Sequence, residues 1–285
     1  MVVYFSKENN FLEVNIAMLK SEFLPEICYK YKSLSLEDIF NAYADKQTVT
    51  GHVEKLLPEE KKVVVRLGDD IVAHMPYSEA TIYPLRYSEN LASPIPTNVF
   101  SLIGKNIRVK VTRLNGPFIT VSRKANMLTA FEHTCKCDLA TFHIVRIDRK
   151  CAFGDIGAGI IGRIIIDEVC RTHIKYITEY LHKNDVIQVR ILERTEDNYF
   201  NASYRRACKP YNKDDYTVGM LVTGKVCDYV RDSKKPGFYV NIAPQVSGIM
   251  NVKSGQHHFR YGTMVECYVR NASEQGLHLE FSKMI

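Results

Sequence analysis

After residue 45, short runs in which apolar and polar residues alternate fill most of the chain, the two-residue period of strands with one buried face. Three runs superpose without a gap: "KVVVRLGDDIVAHM" (62–75), "CAFGDIGAGIIGRI" (151–164) and "GFYVNIAPQVSGIM" (237–250). Leu67, Ile156 and Ile242 share one apolar column, and Ile71, Ile160 and Val246 share another. Each run follows a strand-like stretch, "TVTGHVEKLL", "DLATFHIVRI" or "LVTGKVCDYV". After a variable insert, each copy adds two more strand patterns: "GKNIRVKVTRL" and "FITVSRK", "NDVIQVRILER" and "YFNASYRR", "GTMVECYVRNA" and "LHLEFSK".

Five short strands per unit, with the insert between the third and fourth, predict a five-stranded Greek-key barrel, the OB-fold. The expected class is therefore mainly β: three tandem OB-fold barrels at 46–124, 136–206 and 216–285, with "ACKPYNKDD" (207–215) as a joint. Residues 1–45 lie outside the repeat. There Phe11, Val14, Met18, Phe23 and Ile27 recur at helical intervals, and "SLSLEDIFNAYADK" reads as a helix with Ser35 as N-cap and Asp38 at the capping-box position. One or two short helices are expected, as a cap on the first barrel or as a docking segment for a protein partner.

Composition narrows the class further. Hydrophobic content of 46% and charged content of 25% describe an ordinary globular chain, and no run approaches the roughly eighteen apolar residues of a membrane helix. The start, "MVVYFSKENN", lacks the features of a secretory signal, so a cytoplasmic location and reduced cysteines are expected. Cys135 and Cys137 form a lone C-x-C without partners at zinc spacing. Lys and Arg number 38 against 32 Asp and Glu, net +6; residues 1–45 carry 4 basic and 7 acidic groups, so the excess positive charge belongs to the repeats. That distribution is compatible with a polyanionic partner without requiring one.

Signatures of catalysis are missing from the sequence: no G-x-S-x-G, H-E-x-x-H or P-loop pattern occurs. His257 and His258 stand side by side in the third insert with no ligand at metal spacing, and Asp69 and Asp70 suit a turn. "GAGIIG" (157–162) matches the glycine spacing of a dinucleotide loop, but "RIIIDEV" follows it instead of a helix, and position 182 is His182 instead of an acid. A tight turn using Gly157 and Gly159 fits better, with Gly162 beginning the next strand. No enzyme activity, cofactor or metal is expected.

The repeats resemble the S1 RNA-binding domain of bacterial ribosomal protein S1, and the chain looks like the small three-repeat S1 proteins of low-GC Gram-positive bacteria. The first repeat carries "TGHV", "VVVRLG", "AHMPYSEA" and "ITVSRK"; the second "CAFGDIGAGIIGRIIIDEV" and "NASYRR"; the third "TGKV", "GFYVNI", "SGIMNV" and "LEFSK". The resemblance covers residues 46–285 and implies a protein that binds single-stranded RNA in translation or RNA handling, with the ribosome or another RNA machine as a further partner. Two alternatives stay open: an adaptor that docks through the N-terminal region and repeat 1, and a binder of single-stranded DNA.

Alternation names the candidate contacts. Phe238, Val240 and Ile242 fall on the core face, leaving Gly237, Tyr239 and Asn241 outside, where Tyr239 can stack on a base. Its counterpart is Phe153, beside Lys150 and Asp155; repeat one offers only Val64, with Lys62 and Arg66 for phosphates. In S1 domains the aromatic of G-A-F is a binding residue, so the resemblance supports Tyr239 and Phe153. Counting four back from the terminal Ser of each repeat gives a second row, Phe118, Tyr199 and His278, opposite the core residues Ile119, Phe200 and Leu279. At the family's His/Pro column stand Pro76, Ile165 and Asn251: Asn251 retains hydrogen bonding, and Arg163 is the nearer candidate in repeat two. Lys225, Lys234, Lys235 and Arg260 surround repeat three as a possible backbone track.

Overall fold

In a computed structural model the described residues are 23–88, 94–134, 139–171, 174–229, 237–251 and 259–285. Phe11, Val14, Met18, Cys135, Cys137, Lys234, Lys235, His257 and His258 lie outside them.

Among the described residues the alternating runs form fifteen strands: β1 Thr48–Leu57, β2 Lys62–Arg66, β3 Val72–Pro76, β4 Asn106–Asn115, β5 Phe118–Ser122; β6 Leu139–Ile147, β7 Cys151–Asp155, β8 Ile161–Ile165, β9 Val186–Arg194, β10 Phe200–Ser203; β11 Leu221–Tyr229, β12 Gly237–Ala243, β13 Val246–Asn251, β14 Met264–Ser273, β15 Gly276–Met284. They close into three barrels. In each, the first strand pairs with the second and fourth, and the fifth pairs in parallel with the third. This is the expected mainly β, OB-fold class. A bulge recurs at the same point of every first strand, at Val53/Lys55, Ile144/Arg146 and Val226/Asp228. Bulges bend a strand and increase its twist, which closure of so small a sheet requires.

The V-T-G signature has a packing cause. A Cβ on Gly51 would lie 2.4 Å from Val65, and one on Gly224 2.5 Å from Val240, so the barrel wall admits only glycine there. The second barrel solves the same problem in reverse. Its residue at this register is Phe142, fully buried, and the glycines stand on the facing strands: a Cβ on Gly154 would meet the Phe142 ring at 2.4 Å and one on Gly162 at 2.7 Å. Gly162 therefore makes room for a core aromatic. Gly157 (φ 140°) and Gly159 (φ 81°) form the turn between β7 and β8, with Ala158 also left-handed at φ 52°.

The expected capped helix is α1, Leu36–Ala44, whose Ser35 and Asp38 complete a capping box. Ile39 enters the core of barrel 1. The helical intervals at Phe23 and Ile27 do not yield a helix: residues 23–34 run as an extended strap, apart from a 3₁₀ turn at Glu26–Cys28 after Pro25. The strap's backbone finds its partners on the barrels instead, Leu34 N–H on Leu67 C=O at 3.0 Å and the C=O of Leu24 accepting from Ala158 N–H at 2.9 Å. A four-residue helix, α2 Thr97–Phe100, lies in the first insert.

One helix was not anticipated: α3, Arg123–His133, capped by Ser122. Met127, Ala130 and Phe131 join the core of barrel 2, the i, i+3, i+4 spacing being its signal. No helix among the described residues is long and apolar enough to cross a membrane.

Candidate nucleic-acid interface

Strand pairing sets equivalent positions of the barrels in register and draws one row across each outer face. In barrel 2 the row runs Arg146, Phe153, Arg163, Asn201, Glu193. In barrel 3 it runs Asp228, Tyr239, Ile249, His278, Asn271. In barrel 1 it runs Lys55, Val64, His74, Thr120, Arg113.

Barrel 2 carries the richest chemistry. The Arg146 guanidinium sits over the Phe153 ring, 4.6 Å from its centroid, and pairs with Asp148 at 3.1 Å. Phe153 is half-buried between Arg146 and Arg163. Arg163 Nε donates to Asn201 Oδ1 at 3.0 Å, and Asn201 Nδ2 donates to Glu193 Oε1 at 3.0 Å. A ring with one guanidinium lying over it and a second across the ladder can hold a splayed base by stacking, on the guanidinium plane or on the ring, while its phosphates meet positive charge. Lys150 is exposed at the β6–β7 turn, beyond the Cys151–Ile165 pair that follows the row.

Barrel 3 presents Tyr239, 39% exposed, with Ile249 and exposed His278 beside it. Asn251 stands one pair along, opposite Gly237 and also exposed. In barrel 1 Val64 is only 4% exposed, and the half-buried His74 keeps an enclosed Nδ1 without a partner among the described residues. Arg66 lies off this row, its Nε on Glu54 at 2.5 Å and its Nη1 donating to the Asp69 carbonyl.

The fifth-strand row needs a correction. Phe118 and Tyr199 are equivalent, but β15 is displaced by two residues: Ile119, Phe200 and Leu277 occupy one position, so Gly276 stands where Phe118 and Tyr199 do. His278 corresponds to Thr120 and Asn201, which brings it into the Tyr239 row. A shift of two preserves which face a residue points to, so alternation alone cannot detect it. Phe118 is 67% exposed at the β4–β5 turn. Tyr199 is half-buried, its ring 5.5 Å from that of Tyr83 and its hydroxyl accepting from Arg86 at 2.6 Å.

In barrels 2 and 3 the next outer position along the second strand faces a neighbouring module instead of solvent, which corrects two expectations. Asp155 is not exposed. One of its oxygens accepts N–H bonds from Gly157 (2.8 Å) and Gly159 (3.0 Å), the other from Glu26 (2.6 Å). Burial, and then the nearby Glu26 carboxylate, raise its pKa to about 7. Glu26 itself is paired with Arg123 at 2.5 Å, the two side chains 9% and 7% exposed, and Arg123 also donates to Ala80 C=O at 2.6 Å. Strap, barrel 1 and barrel 2 thus meet at one buried charge cluster, and Tyr83 of the first insert adds its hydroxyl as acceptor for Ile161 N–H at 2.8 Å.

Asn241, on the outer face of β12, is 4% exposed because the second insert covers it, with Cys170 Sγ 3.9 Å away. Around it Lys225 pairs with Glu179 at 3.4 Å, Tyr261 donates to Glu179 and accepts from Lys175 N–H at 2.7 Å, and Arg171 N–H donates to Pro244 C=O at 2.7 Å. Lys225 is therefore committed to a junction. Sequence reasoning missed Arg146 and Glu193 because their place in the row depends on bulges that a strand pattern does not mark, and Asn201 because its place depends on the parallel pairing with β8.

No family model matches the chain, and no curated protein sequence does either. Solved structures with similarity include a multidomain protein with nucleic acid binding domains from Streptococcus pneumoniae, at 11% identity over 84% of this chain and 74% of that one, TM-score 0.27. GSP13 from Bacillus subtilis is 24% identical over 28% of this chain, TM-score 0.26, and the a/eIF2alpha-aDim2p-rRNA complex from Pyrococcus horikoshii 19% over 27%, TM-score 0.26. The matched regions cover 63% of the GSP13 chain and 48% of the Pyrococcus chain. Likeness at these TM-scores carries no functional argument, so the chain's own side chains must carry any assignment.

Proposed function

We propose that the protein binds single-stranded RNA on the outer rows of its barrels, chiefly barrel 2, and acts by binding rather than catalysis in the cytoplasm. The observation that carries the proposal is the Arg146–Phe153–Arg163 arrangement: an aromatic platform between two guanidinium groups on an open barrel face. The Tyr239 row supplies a second platform. Preference for RNA over DNA, and a role in translation or RNA handling at the ribosome, rest on the S1 resemblance of the repeats.

Fluorescence polarisation with matched RNA and DNA oligonucleotides across a salt series tests this. RNA binding that weakens with salt and falls in Phe153→Ala supports it; binding indifferent to Phe153→Ala and Tyr239→Ala places the interface elsewhere. One observation favours the adaptor as a second reading: Leu36, Phe40 and Tyr43 form an exposed stripe on α1, 58%, 58% and 43% exposed. Loss of ribosome cosedimentation in Phe40→Ser with RNA affinity unchanged would favour the adaptor.

A further inference from the structure

We infer that barrel 2 reads a guanine base, and that Arg163 is the residue that reads it; this rests on the binding proposal above. Arg163 lies directly across the ladder from Phe153, so a base stacked on that ring turns an edge toward the guanidinium. The guanidinium is anchored through one nitrogen: Nε is held by Asn201 Oδ1, and Asn201 is held in turn by Glu193. The two terminal nitrogens have no partner among the described residues.

A guanidinium fixed at Nε presents a fork of parallel N–H donors whose orientation is set before any ligand arrives, so little rotamer freedom remains to be lost on binding. Such a fork matches two adjacent acceptors. Guanine offers O6 and N7 at that spacing on its Hoogsteen edge; adenine places an amino donor beside N7, uracil separates its two carbonyls by an N–H, and cytosine has adjacent acceptors, N3 and O2, only on its Watson–Crick edge. The Asn201–Glu193 relay also sets the amide orientation, because Asn201 must show its oxygen to Arg163 and its nitrogen to the acid.

The other barrels cannot do this. The residue at the Arg163 position is His74 in barrel 1 and Ile249 in barrel 3, neither of which has a fork. A single guanine-selective site beside sequence-tolerant platforms would set the register of a bound strand on the protein.

The test uses the full chain and four oligouridine probes that differ at one central base: guanine, hypoxanthine, 7-deazaguanine and adenine. Guanine and hypoxanthine retain both acceptors and are expected to bind about tenfold more tightly than adenine or 7-deazaguanine. Arg163→Gln should bring all four probes to the adenine level. Arg163→Lys, which keeps the charge but replaces the rigid fork by a flexible ammonium, should reduce the preference while largely preserving the salt dependence. Tyr239→Ala should weaken all four probes alike and leave the preference intact.

Equal affinity for guanine and adenine in the unaltered protein overturns the inference, and so does a preference that survives Arg163→Gln. Binding without preference leaves the wider proposal standing, whereas absence of binding to every probe overturns both.

Discussion

Barrels 2 and 3 share a scaffold down to the bulge in the first strand, yet divide their outer faces differently. At the aromatic position both are alike, Phe153 and Tyr239. Around it barrel 2 places two arginines and a hydrogen-bonded relay, while barrel 3 places an aspartate, an isoleucine and a histidine. At the next outer position both faces are sealed by a neighbour, barrel 2 with a nearly dry ion pair alongside and barrel 3 with the partly wet Lys225–Glu179 contact. The same fold thus supports a row with two arginines and a row with none, and a tight junction and a looser one, because its outer residues are free of the core's volume constraints.

The largest way to break this comparison is at the junctions. Arg123→Ala strands a buried Glu26 carboxylate and should cost about 3–5 kcal/mol in chemical denaturation; Lys225→Ala at the second junction should cost about 1–2 kcal/mol, its pair being better hydrated. Equal costs would refute the distinction. At the rows, Phe153→Ala should lose about 2 kcal/mol of RNA affinity by fluorescence polarisation, and Tyr239→Ala about 1 kcal/mol.

Salt separates the rows further. Replacing Arg146 by Gln should make the slope of log affinity against log salt shallower by about 0.7, while replacing Tyr239 should leave it unchanged.

A last perturbation, a change of pH, needs no substitution. A carboxyl whose folded pKa is raised to about 7 binds its proton more tightly in the folded state than in the unfolded one. Its contribution to stability is full below about pH 4, its unfolded value, and is lost as pH rises through 7. The first junction should therefore loosen between pH 4 and 7, seen as a falling melting temperature that Asp155→Asn flattens.

Much of the barrel plan was legible because it follows from alternation. The apolar columns at Leu67, Ile156 and Ile242 and the turns between them require strands, and three copies in register require three barrels. Phe153 and Tyr239 could be assigned to the outer face from parity alone. What parity cannot give is distance along a strand: the two-residue displacement of β15 leaves His278 facing outward while moving it from the Phe118 position to the Thr120 position. Nor can it show coverage. Asp155 and Asn241 have the parity of exposed residues, and only the strap and the second insert, remote in sequence, bury them.

"GAGIIG" divides along the same line. Its local chemistry excluded a dinucleotide loop, since no helix follows, and required a turn at Gly157 and Gly159. The purpose of Gly162 was only partly readable locally, because its Cβ is excluded both by Ile156, six residues earlier, and by the ring of Phe142, twenty residues earlier on a different strand. Local sequence determines the period of burial and the sites of turning, which depend on neighbouring residues. Which glycine faces which aromatic, and which outer position stays open to a ligand, depends on volumes and contacts that exist only once the barrels have closed and docked.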